Sequence, residues 1–466
     1  MKRLAIALAA LITAGCATLT EDAGFAEVEQ VVQERTGAQT KWLRAPDEAD
    51  TVRARVKELL AQPLGAQDAV QVALLNNPGL QAAYAEVGIA EADLVQASRW
   101  RGPTFSFARL RRGDEREYER SVFFDVLGLI TIPLSVRGEQ ARFGAARSRA
   151  ATEALRVALE TRKAWFNAVA AAESARYMAQ VQEAAAVSAE LARRMAAVGN
   201  WPKLTMMREQ AFYADATARL AAARHAQAAS REALARLMGL WGEDLAFQLP
   251  QRLPDLPKAP REFGEELEAQ ALAQRLDVQA ARRENEAVAR SLGLTRATRF
   301  VSLLEFGLLS EGERGHRSMR GWEIEIGIPI FDFGAARTAR GERVYMQSVN
   351  RVAEIAVQAR SEVRVAYHAY RTGYDVARHY RDEIVPLRKE ISEEVLLRYN
   401  AMLASVFELL ADAREQVAAV NAYIETLRDF WIAESEFQMA LTGRSPGAIG
   451  APLKTTAPAP AAADPH

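Results

Sequence analysis

The residue types that most often carry enzyme chemistry are sparse in this chain and are not spaced for catalysis. One cysteine and five histidines occur in 466 residues, and no two histidines have the HExxH spacing of a metalloprotease. His368 and His379 are eleven residues apart on one predicted helix, whereas a helical metal pair needs a spacing of about four. Walker A, GxGxxG and GxSxG segments are absent. We therefore expect no enzyme activity, no metal and no cofactor.

The single cysteine has a more specific context at the start of the chain. Lys2 and Arg3 precede an apolar run from Leu4 to Ile12 and a small-residue segment that ends at Cys16. This order is typical of a secretory signal peptide, and the apolar run is too short to span a bilayer. We predict a signal peptide at residues 1–15 and a lipidated segment at 16–65 that begins with Cys16. An ordinary secretory signal with an incidental cysteine is the alternative.

Composition excludes some classes of protein. Apolar residues make up 49% of the chain, charged residues 26% and aromatic residues 8%, with a net charge of −1. The chain is therefore globular but not basic enough for a nucleic-acid binder. Its abundant alanine favours close-packed helices.

The chain contains the same unit twice. Leu80–Ala83 aligns with Val278–Ala281, and Ile132–Leu134 aligns with Ile328–Ile330. Each unit reads as a helix, two strands, a very long helix and a returning helix. We place the repeats at 66–240 and 264–443, separated by a proline-rich linker at 241–263 and followed by a disordered Pro/Ala tail at 444–466.

The long helices are unsuited to a compact core. No glycine or proline occurs from Ala145 to Val198, and an ideal helix of that length extends roughly 80 Å. A 3–4 spacing of apolar and small residues near its end indicates a coiled-coil seam. We expect long helices at about 138–198 and 334–400, returning at about 203–239 and 405–442.

The predicted strands have two different faces. Trp322, Ile324 and Ile326 alternate with Glu323 and Glu325. For one such strand alone, a half-buried position in a soluble sheet is the more common explanation. Two matched hairpins with charged loops, behind a signal peptide, favour membrane strands instead. We expect strands at about 103–111, 121–134, 301–310 and 319–331.

Four strands cannot close a barrel, and an open edge in lipid leaves backbone groups without hydrogen bonds. Further copies of the chain must complete the sheet, and a trimer would give twelve strands and a tetramer sixteen. Glu323, Glu325 and Asp125 would then line a polar lumen. The strands should change to helices at two junctions, one at Pro133 and Gly138 and the other at Pro329 and Gly334.

With these features in place, the chain resembles the TolC-like outer-membrane efflux proteins, in particular their lipidated members. The resemblance covers about residues 65–443. It rests on the duplicated order, the segments ALLNNPGLQAA and ALAQRLDVQAA, the IPIFDFG exit from the strands, and RYNAMLASVFELLADAREQ.

The resemblance implies a mainly α fold with membrane β. A trimeric twelve-stranded barrel in the outer membrane would continue into a long periplasmic α-barrel. It also implies a periplasmic adaptor and an inner-membrane pump as partners, with passive export through the channel and no nucleic acid. The resemblance does not identify the exported substrate.

The family's periplasmic tip maps onto two helix breaks. Gly199, Trp201 and Pro202 lie in the first break, and in the second Met402 replaces a glycine that family members carry. Tyr399 resembles a tyrosine that helps to hold the family's channel closed. Glu408 and Asp412 resemble the acidic ring that narrows the closed channel, although Asp412 is shifted by one position. Trp201 would contact a partner at the tip. The alternatives are that Glu408 is an ordinary solvated helix carboxylate and that Trp201 only packs against its own turn.

Two other classes of protein remain possible. A soluble periplasmic coiled-coil adaptor has long hairpins but needs a β-rich lipoyl-like domain, which the sequence lacks. A lipid-anchored structural coiled coil would not need duplicated amphipathic strands.

Overall fold

The computed structural model describes residues 19–112, 115–262, 264, 266–313 and 317–443. The predicted signal peptide, Cys16 and the tail at 444–466 lie outside these residues. The chain divides into two compact units, each drawn from both repeats. Unit 1 comprises Met1–Val31, Ala82–Thr152 and Leu276–Gln358, and unit 2 comprises Val32–Gln81, Glu153–Arg275 and Ala359–His466.

The predicted mainly helical fold with two hairpins is confirmed. Two helices, α1 (Ala26–Thr36) and α2 (Pro46–Leu60), precede the repeats. The first repeat contains α3 (Ala66–Asn76), α4 (Pro78–Ser98), β1 (Thr104–Arg112), β2 (Glu115–Asp125), α5 (Val126–Ala197) and α6 (Lys203–Leu237), with a 3₁₀ turn at Gly242–Ala246. The second contains α7 (Leu267–Gln274), α8 (Leu276–Ala297), β3 (Leu303–Glu313), β4 (Met319–Gly327), α9 (Ala335–His379), a π turn at Tyr380–Ile384, α10 (Val385–Asn400) and α11 (Val406–Thr442).

The first helix of repeat one, which the sequence predicts as a single helix, is interrupted. Pro78 starts α4, and the two asparagines before it bond to the end of α6. The Asn77 side-chain amide donates to the carbonyl of Leu237 (2.8 Å), and that of Asn76 donates to the carbonyl of Gly239 (2.9 Å). The Asn77 bond satisfies a carbonyl that the end of α6 leaves without a helical partner. The motif NNP thus joins the start of its repeat to the end.

Repeat two uses an arginine at the equivalent break. Arg275 separates α7 from α8, and its side chain is 1% exposed. Its guanidinium pairs with Glu362 at 2.8 Å and donates to the carbonyl of Ala440 at 3.4 Å, near the end of α11. The two repeats therefore close on themselves by different chemistry at matching positions.

The strands form one antiparallel sheet in unit 1, in the order β1-β2-β3-β4. Thr104 pairs with Phe123 between β1 and β2, and Phe124 pairs with Phe306 between β2 and β3. Phe306 in turn pairs with Ile324 on β4. This register fixes which side chains share a face, because directly opposite residues point the same way.

The second strand begins and ends earlier than the predicted 121–134. Residues 126–134 are helical, because the Asp125 carboxylate accepts the Gly128 backbone N–H at 2.6 Å and so caps the start of α5. The predicted junction at Pro133 and Gly138 is therefore wrong, since both residues lie inside α5. The strand-to-helix change occurs at Asp125 and Val126 instead.

The charged segment that was expected to be a loop is largely strand. Along β2, Glu117 and Glu119 lie on one face, and Arg116, Tyr118 and Arg120 lie on the other. The period is that of a strand, but it appears in the sign of the charge and not in hydropathy.

The long helix predicted over 334–400 is broken by a π turn. The Val385 N–H bonds to the carbonyl of Tyr380, five residues earlier. Pro386 follows, and its ring cannot donate to a helical hydrogen bond. The π turn at Tyr380–Ile384 adjusts the helix just before this proline.

The core of unit 2 includes an aromatic cluster between α9 and α11. The Phe430 ring lies 5.7 Å from the Tyr370 ring and 5.8 Å from the Tyr374 ring. Gly373 permits this approach, since a Cβ there would lie 3.3 Å from the Phe430 Cα. The Trp431 ring extends the cluster by stacking on Phe166 at 5.6 Å.

Among the residues described, none of the helices is both long enough and apolar enough to cross a membrane.

Candidate functional site

One face of the sheet in unit 1 is apolar in its half nearest the helices, and we call it the apolar face. Cross-strand pairing places Phe306 between Phe124 and Ile324 and places Leu308 beside Trp322. The members are Phe105, Phe107, Val122, Phe124, Leu304, Phe306, Leu308, Trp322, Ile324 and Ile326. Trp322 is 67% exposed and Ile324 is 51% exposed. A protein in water seldom leaves such a contiguous patch uncovered.

The opposite face of the sheet carries carboxylates, and we call it the acidic face. Glu305 pairs with both Asp125 and Glu325, and Glu323 lies one position further along the same face. The structure therefore brings together the three predicted lumen residues, although Asp125 also caps α5. Glu323 and Glu325 are exposed.

Sequence reasoning missed three further carboxylates on this face. The carboxylate oxygens of Glu117, Glu119 and Glu311 lie within 4.8 Å of one another. The alternation of EREYER could have identified two of them, while Glu311 needed the strand pairing.

The helix-proximal ends of the strands surround a cavity of about 680 Å³ in unit 1. Its lining is mixed in charge, with Asp125 and Glu305 beside Arg142 and Arg337. The acidic face thus continues into a polar recess where the strands become helices.

Both edges of the sheet are free in the described part of the chain, because β1 and β4 each pair with one neighbour only. An unpaired edge presents a row of backbone donors and acceptors to another chain.

The segment between β4 and α9 contains Pro329 and Gly334. Pro329 follows the end of β4, and Gly334 precedes α9 with a φ of 71°. A Cβ at Gly334 would lie 2.4 Å from the Arg299 carbonyl oxygen, so no other residue fits without movement. The Asp332 carboxylate accepts the Gly334 N–H at 2.9 Å and prepares the helix start.

The first turn between helices in unit 2, residues 196–204, connects α5 to α6, and α5 ends there in a Schellman motif. The Gly199 N–H bonds to the Ala196 carbonyl at 3.1 Å, and the Asn200 N–H bonds to the Met195 carbonyl at 2.9 Å. Gly199 has a φ of 78°. Trp201 is half-buried, and the exposed Pro202 occupies the N-cap of α6.

The second turn between helices, residues 399–405, connects α10 to α11 and has the same motif without glycine. The Met402 N–H bonds to the Tyr399 carbonyl at 3.0 Å, and the Leu403 N–H bonds to the Arg398 carbonyl at 2.8 Å. Met402 has a φ of 58° and is 93% exposed. Tyr399 is half-buried, and its backbone carbonyl is part of the motif.

Glu408 takes part in a capping box at the start of α11. The Ser405 hydroxyl accepts the Glu408 N–H at 3.3 Å, and the Ser405 N–H donates to the Glu408 carboxylate at 3.3 Å. The carboxylate is exposed. The residue has a structural role as well as a free charge.

Asp412 differs from Glu408 because it is only 7% exposed. Its Oδ2 atom has no hydrogen-bond partner among the described residues. Glu209 on α6, which sequence reasoning missed, is 1% exposed and accepts a bond from the Ser188 hydroxyl at 2.9 Å. Two buried carboxylates therefore lie behind the turns.

The helices behind the two turns contact each other within unit 2 through cation–π pairs. The Arg208 guanidinium lies 4.3 Å from the centre of the Phe407 ring, and that of Arg414 lies 4.9 Å from the Phe212 ring. Each pair joins α6 to α11. These pairs hold the start of α11, which follows the second turn, against α6.

Further along α11, the environment of Glu434 is unusual. Burial raises the pKa of the Glu434 carboxyl, and Arg162 lowers it in part. Burial also lowers the pKa of the Arg162 guanidinium. Arg162 donates to Gln438 at 3.3 Å and to Gln67 at 3.0 Å, so its own hydrogen bonds run to neutral amides.

No family model and no curated protein matches the sequence. Solved structures do match. The CmeC outer-membrane channel of Campylobacter jejuni has a TM-score of 0.70 at 17% identity, covering 82% of this chain and 86% of that one. The outer-membrane protein VceC of Vibrio cholerae has a TM-score of 0.68 at 15% identity, covering 84% of this chain and 97% of that one.

The open state of the MtrE outer-membrane channel of Neisseria gonorrhoeae has a TM-score of 0.67 at 17% identity, covering 81% of this chain and 89% of that one. Sequence identities this low show that the fold is shared, but they do not establish the details of a functional site. The chain therefore has the fold of the TolC-like outer-membrane channels.

Proposed function

We propose that three copies of this chain form an outer-membrane channel that belongs to an efflux or secretion system. The channel exports substrates passively, and a periplasmic adaptor and an inner-membrane pump deliver them. Cys16 carries the lipid that adds a second attachment to the outer membrane.

The observation that carries the proposal is the two-faced sheet with free edges. Apolar side chains such as Trp322 and Ile324 are exposed on one face, and carboxylates occupy the other. Lipid covers an apolar face of this kind, and a water-filled lumen accommodates the acidic face. A sheet buried in a soluble core would instead have one covered face.

The free edges require more than one chain. Each backbone group left unpaired in lipid costs several kcal/mol, so β1 and β4 must pair with other strands. Pairing β4 of one protomer with β1 of the next closes a ring, and three protomers give twelve strands, within the range of bacterial barrels. The matching solved structures that are described as outer-membrane channels support this choice.

In the proposed assembly the two turns between helices, residues 196–204 and 399–405, form the periplasmic end of the channel. A ring of Glu408 carboxylates narrows this end and attracts cations. Each Glu408 lies in the first turn of α11, so the helix backbone sets the position of the ring.

The alternatives are a lipid-anchored periplasmic adaptor and a structural coiled-coil protein. Neither accounts for an exposed apolar sheet face backed by carboxylates.

Purification of the full-length chain tests the proposal. We expect a trimer that is extracted only with detergent, migrates differently before and after heating, and gives discrete conductance steps in planar bilayers. A monomer that stays in solution without detergent would contradict the proposal. A Cys16→Ser variant that no longer incorporates labelled fatty acid, but still forms trimers, would separate the lipid anchor from the channel.

A further inference from the structure

The loop-proximal half of the sheet face that carries the apolar residues is basic. Strand alternation places Arg116, Tyr118 and Arg120 of β2 on the same side as Val122 and Phe124. The face therefore changes from hydrocarbon to guanidinium along the strands, with the arginines at the end furthest from the helices.

Three arginines on this face surround one cavity, which we call the arginine cavity. Arg116, Arg120 and Arg320 line a space of about 630 Å³. The register explains its shape, because Arg120 pairs with Ser310, and Ser310 pairs with Arg320 on the next strand. The long side chains of Arg120 and Arg320 thus lie on either side of the short Ser310 side chain. The backbones of the two outer strands are about 10 Å apart.

The floor of the arginine cavity is built from small residues. Gly312 lies two positions beyond Ser310 on β3 and pairs with Tyr118. Tyr118, Ser310 and Ser318 add hydroxyl groups to the lining. The cavity exists because β3 contributes almost no side-chain volume at this level.

Within the described part of the chain, the positive charge of the cavity has no acidic partner. Among the residues that the structure describes, no carboxylate lines it, and none forms an ion pair with Arg116, Arg120 or Arg320. Glu117 and Glu119 of β2 lie on the opposite face. Guanidinium groups bind phosphate oxygens through paired hydrogen bonds, and hydroxyl groups add further donors.

We propose that the arginine cavity binds the phosphate of an anionic membrane lipid, one per protomer. The inference rests on the proposed function, because it requires this face to meet the bilayer. An arginine facing acyl chains costs about 2–4 kcal/mol at the bilayer centre and little at the interface. The cavity therefore lies at headgroup level, and the apolar face beside it receives the acyl chains. A ligand with both a phosphate and acyl chains fits both surfaces, whereas free phosphate uses only the first.

The test uses the full-length trimer in nanodiscs of phosphatidylcholine with about a tenth phosphatidic acid, followed by native mass spectrometry of the lipids it retains. We expect the wild-type trimer to retain phosphatidic acid at one per protomer and in preference to phosphatidylcholine. The Arg120→Gln/Arg320→Gln variant should retain about tenfold less, a change of about 1.4 kcal/mol in binding. The charge-matched control, Arg343→Gln/Arg351→Gln on α9, should behave as wild type.

A second variant leaves every arginine in place. A Cβ at Gly312 would lie 3.9 Å from the Ser318 Cβ, an ordinary contact, so Gly312→Leu fills the floor without backbone strain. It should also lose phosphatidic acid. Equal retention by wild type and by the arginine variant would overturn the inference. So would displacement of the lipid by inorganic phosphate, since the tails would then contribute nothing.

The two proposals fail in different ways. A trimer that inserts into pure phosphatidylcholine nanodiscs and conducts ions, but shows no preference for phosphatidic acid, overturns the lipid site alone. A chain that forms no trimer, or does not insert into neutral nanodiscs, overturns both.

Discussion

Gly199 and Met402 occupy the same position in two equivalent helix ends. Each is the residue that reverses the chain in a Schellman motif, with a φ of 78° at Gly199 and 58° at Met402. The repeats therefore preserve the geometry of the turn but not the residue that suits it. A side chain in the left-handed region costs about 1–2 kcal/mol, so the second turn is strained and the first is not.

Replacing Met402 with glycine should stabilise the second turn. Glycine removes the steric cost of the left-handed conformation, but it loses more backbone entropy on folding than methionine does. The net gain in the free energy of unfolding should be about 0.5–1 kcal/mol. Slower hydrogen exchange at residues 399–405 would report this gain. Gly199→Ala is the matched change in the opposite sense and should speed exchange at residues 196–204. Faster exchange in the Met402→Gly protein would show that the side chain of Met402 stabilises the turn through contacts.

Two variants separate the charge of Glu408 from its capping role. Glu408→Gln keeps a side-chain acceptor for the Ser405 N–H and removes the charge, so thermal stability should hold while cation selectivity in planar bilayers falls. Ser405→Ala keeps the charge and removes the cap, which should cost about 1 kcal/mol without changing selectivity. If Glu408→Gln leaves both selectivity and conductance unchanged, Glu408 does not line the narrow part of the channel.

Arg275 should matter far more for stability than a surface arginine. Arg275→Met leaves Glu362 without its buried partner and the Ala440 carbonyl without a donor, at a cost of about 3 kcal/mol. Arg364 pairs with Glu268 on an exposed surface, and Arg364→Met should cost at most about 1 kcal/mol. Urea unfolding of the two variants gives the comparison. Similar losses would mean that water replaces the bonds of Arg275.

The sequence predicts the features of this fold that depend on hydropathy and misses those that depend on single contacts. Alternation in 322–328 correctly separates Ile324 from Glu323. The start of β2 was missed because its alternation is one of charge, Glu against Arg. The end of β2 was missed because Val126 and the residues after it alternate like a strand, while one hydrogen bond to the Asp125 carboxylate starts a helix.

The breaks at Asn77 and Arg275 depend on contacts with residues more than 150 positions away, namely Leu237 and Ala440. The arginine cavity has the same origin, because Arg120 and Arg320 come from different repeats and meet only through the pairing of Ser310. A local pattern cannot indicate either.

Stability should depend on pH through Glu434. Burial raises the pKa of its carboxyl in the folded chain, so the folded state holds the proton more tightly than the unfolded state does. The stabilisation is present below the unfolded pKa and is lost as pH rises through the folded pKa. Glu434→Gln mimics the neutral form, so its melting temperature should exceed that of wild type at pH 7. The difference should close as pH falls below about 4, the ordinary range for glutamate.

The exposed Glu425 on the same helix provides the control for this measurement. Glu425→Gln should leave the melting temperature nearly unchanged, because the side chain is exposed. A Glu434→Gln protein that melts lower than wild type at pH 7 would show that the attraction of Arg162 outweighs burial.

Adjacent residues on β4 give the most direct test of which face meets lipid. Ile324→Lys places a charge on the apolar face, opposite Phe306, and should cost about 2–4 kcal/mol per protomer near the bilayer centre. Glu323→Lys places the same charge one residue away on the acidic face, where water solvates it. We therefore expect Ile324→Lys to abolish insertion into liposomes, whereas Glu323→Lys inserts and shifts ion selectivity toward anions. If both variants insert equally, the apolar face does not contact lipid, and the proposed channel cannot be correct. If Glu323→Lys alone fails, the two faces are assigned the wrong way round.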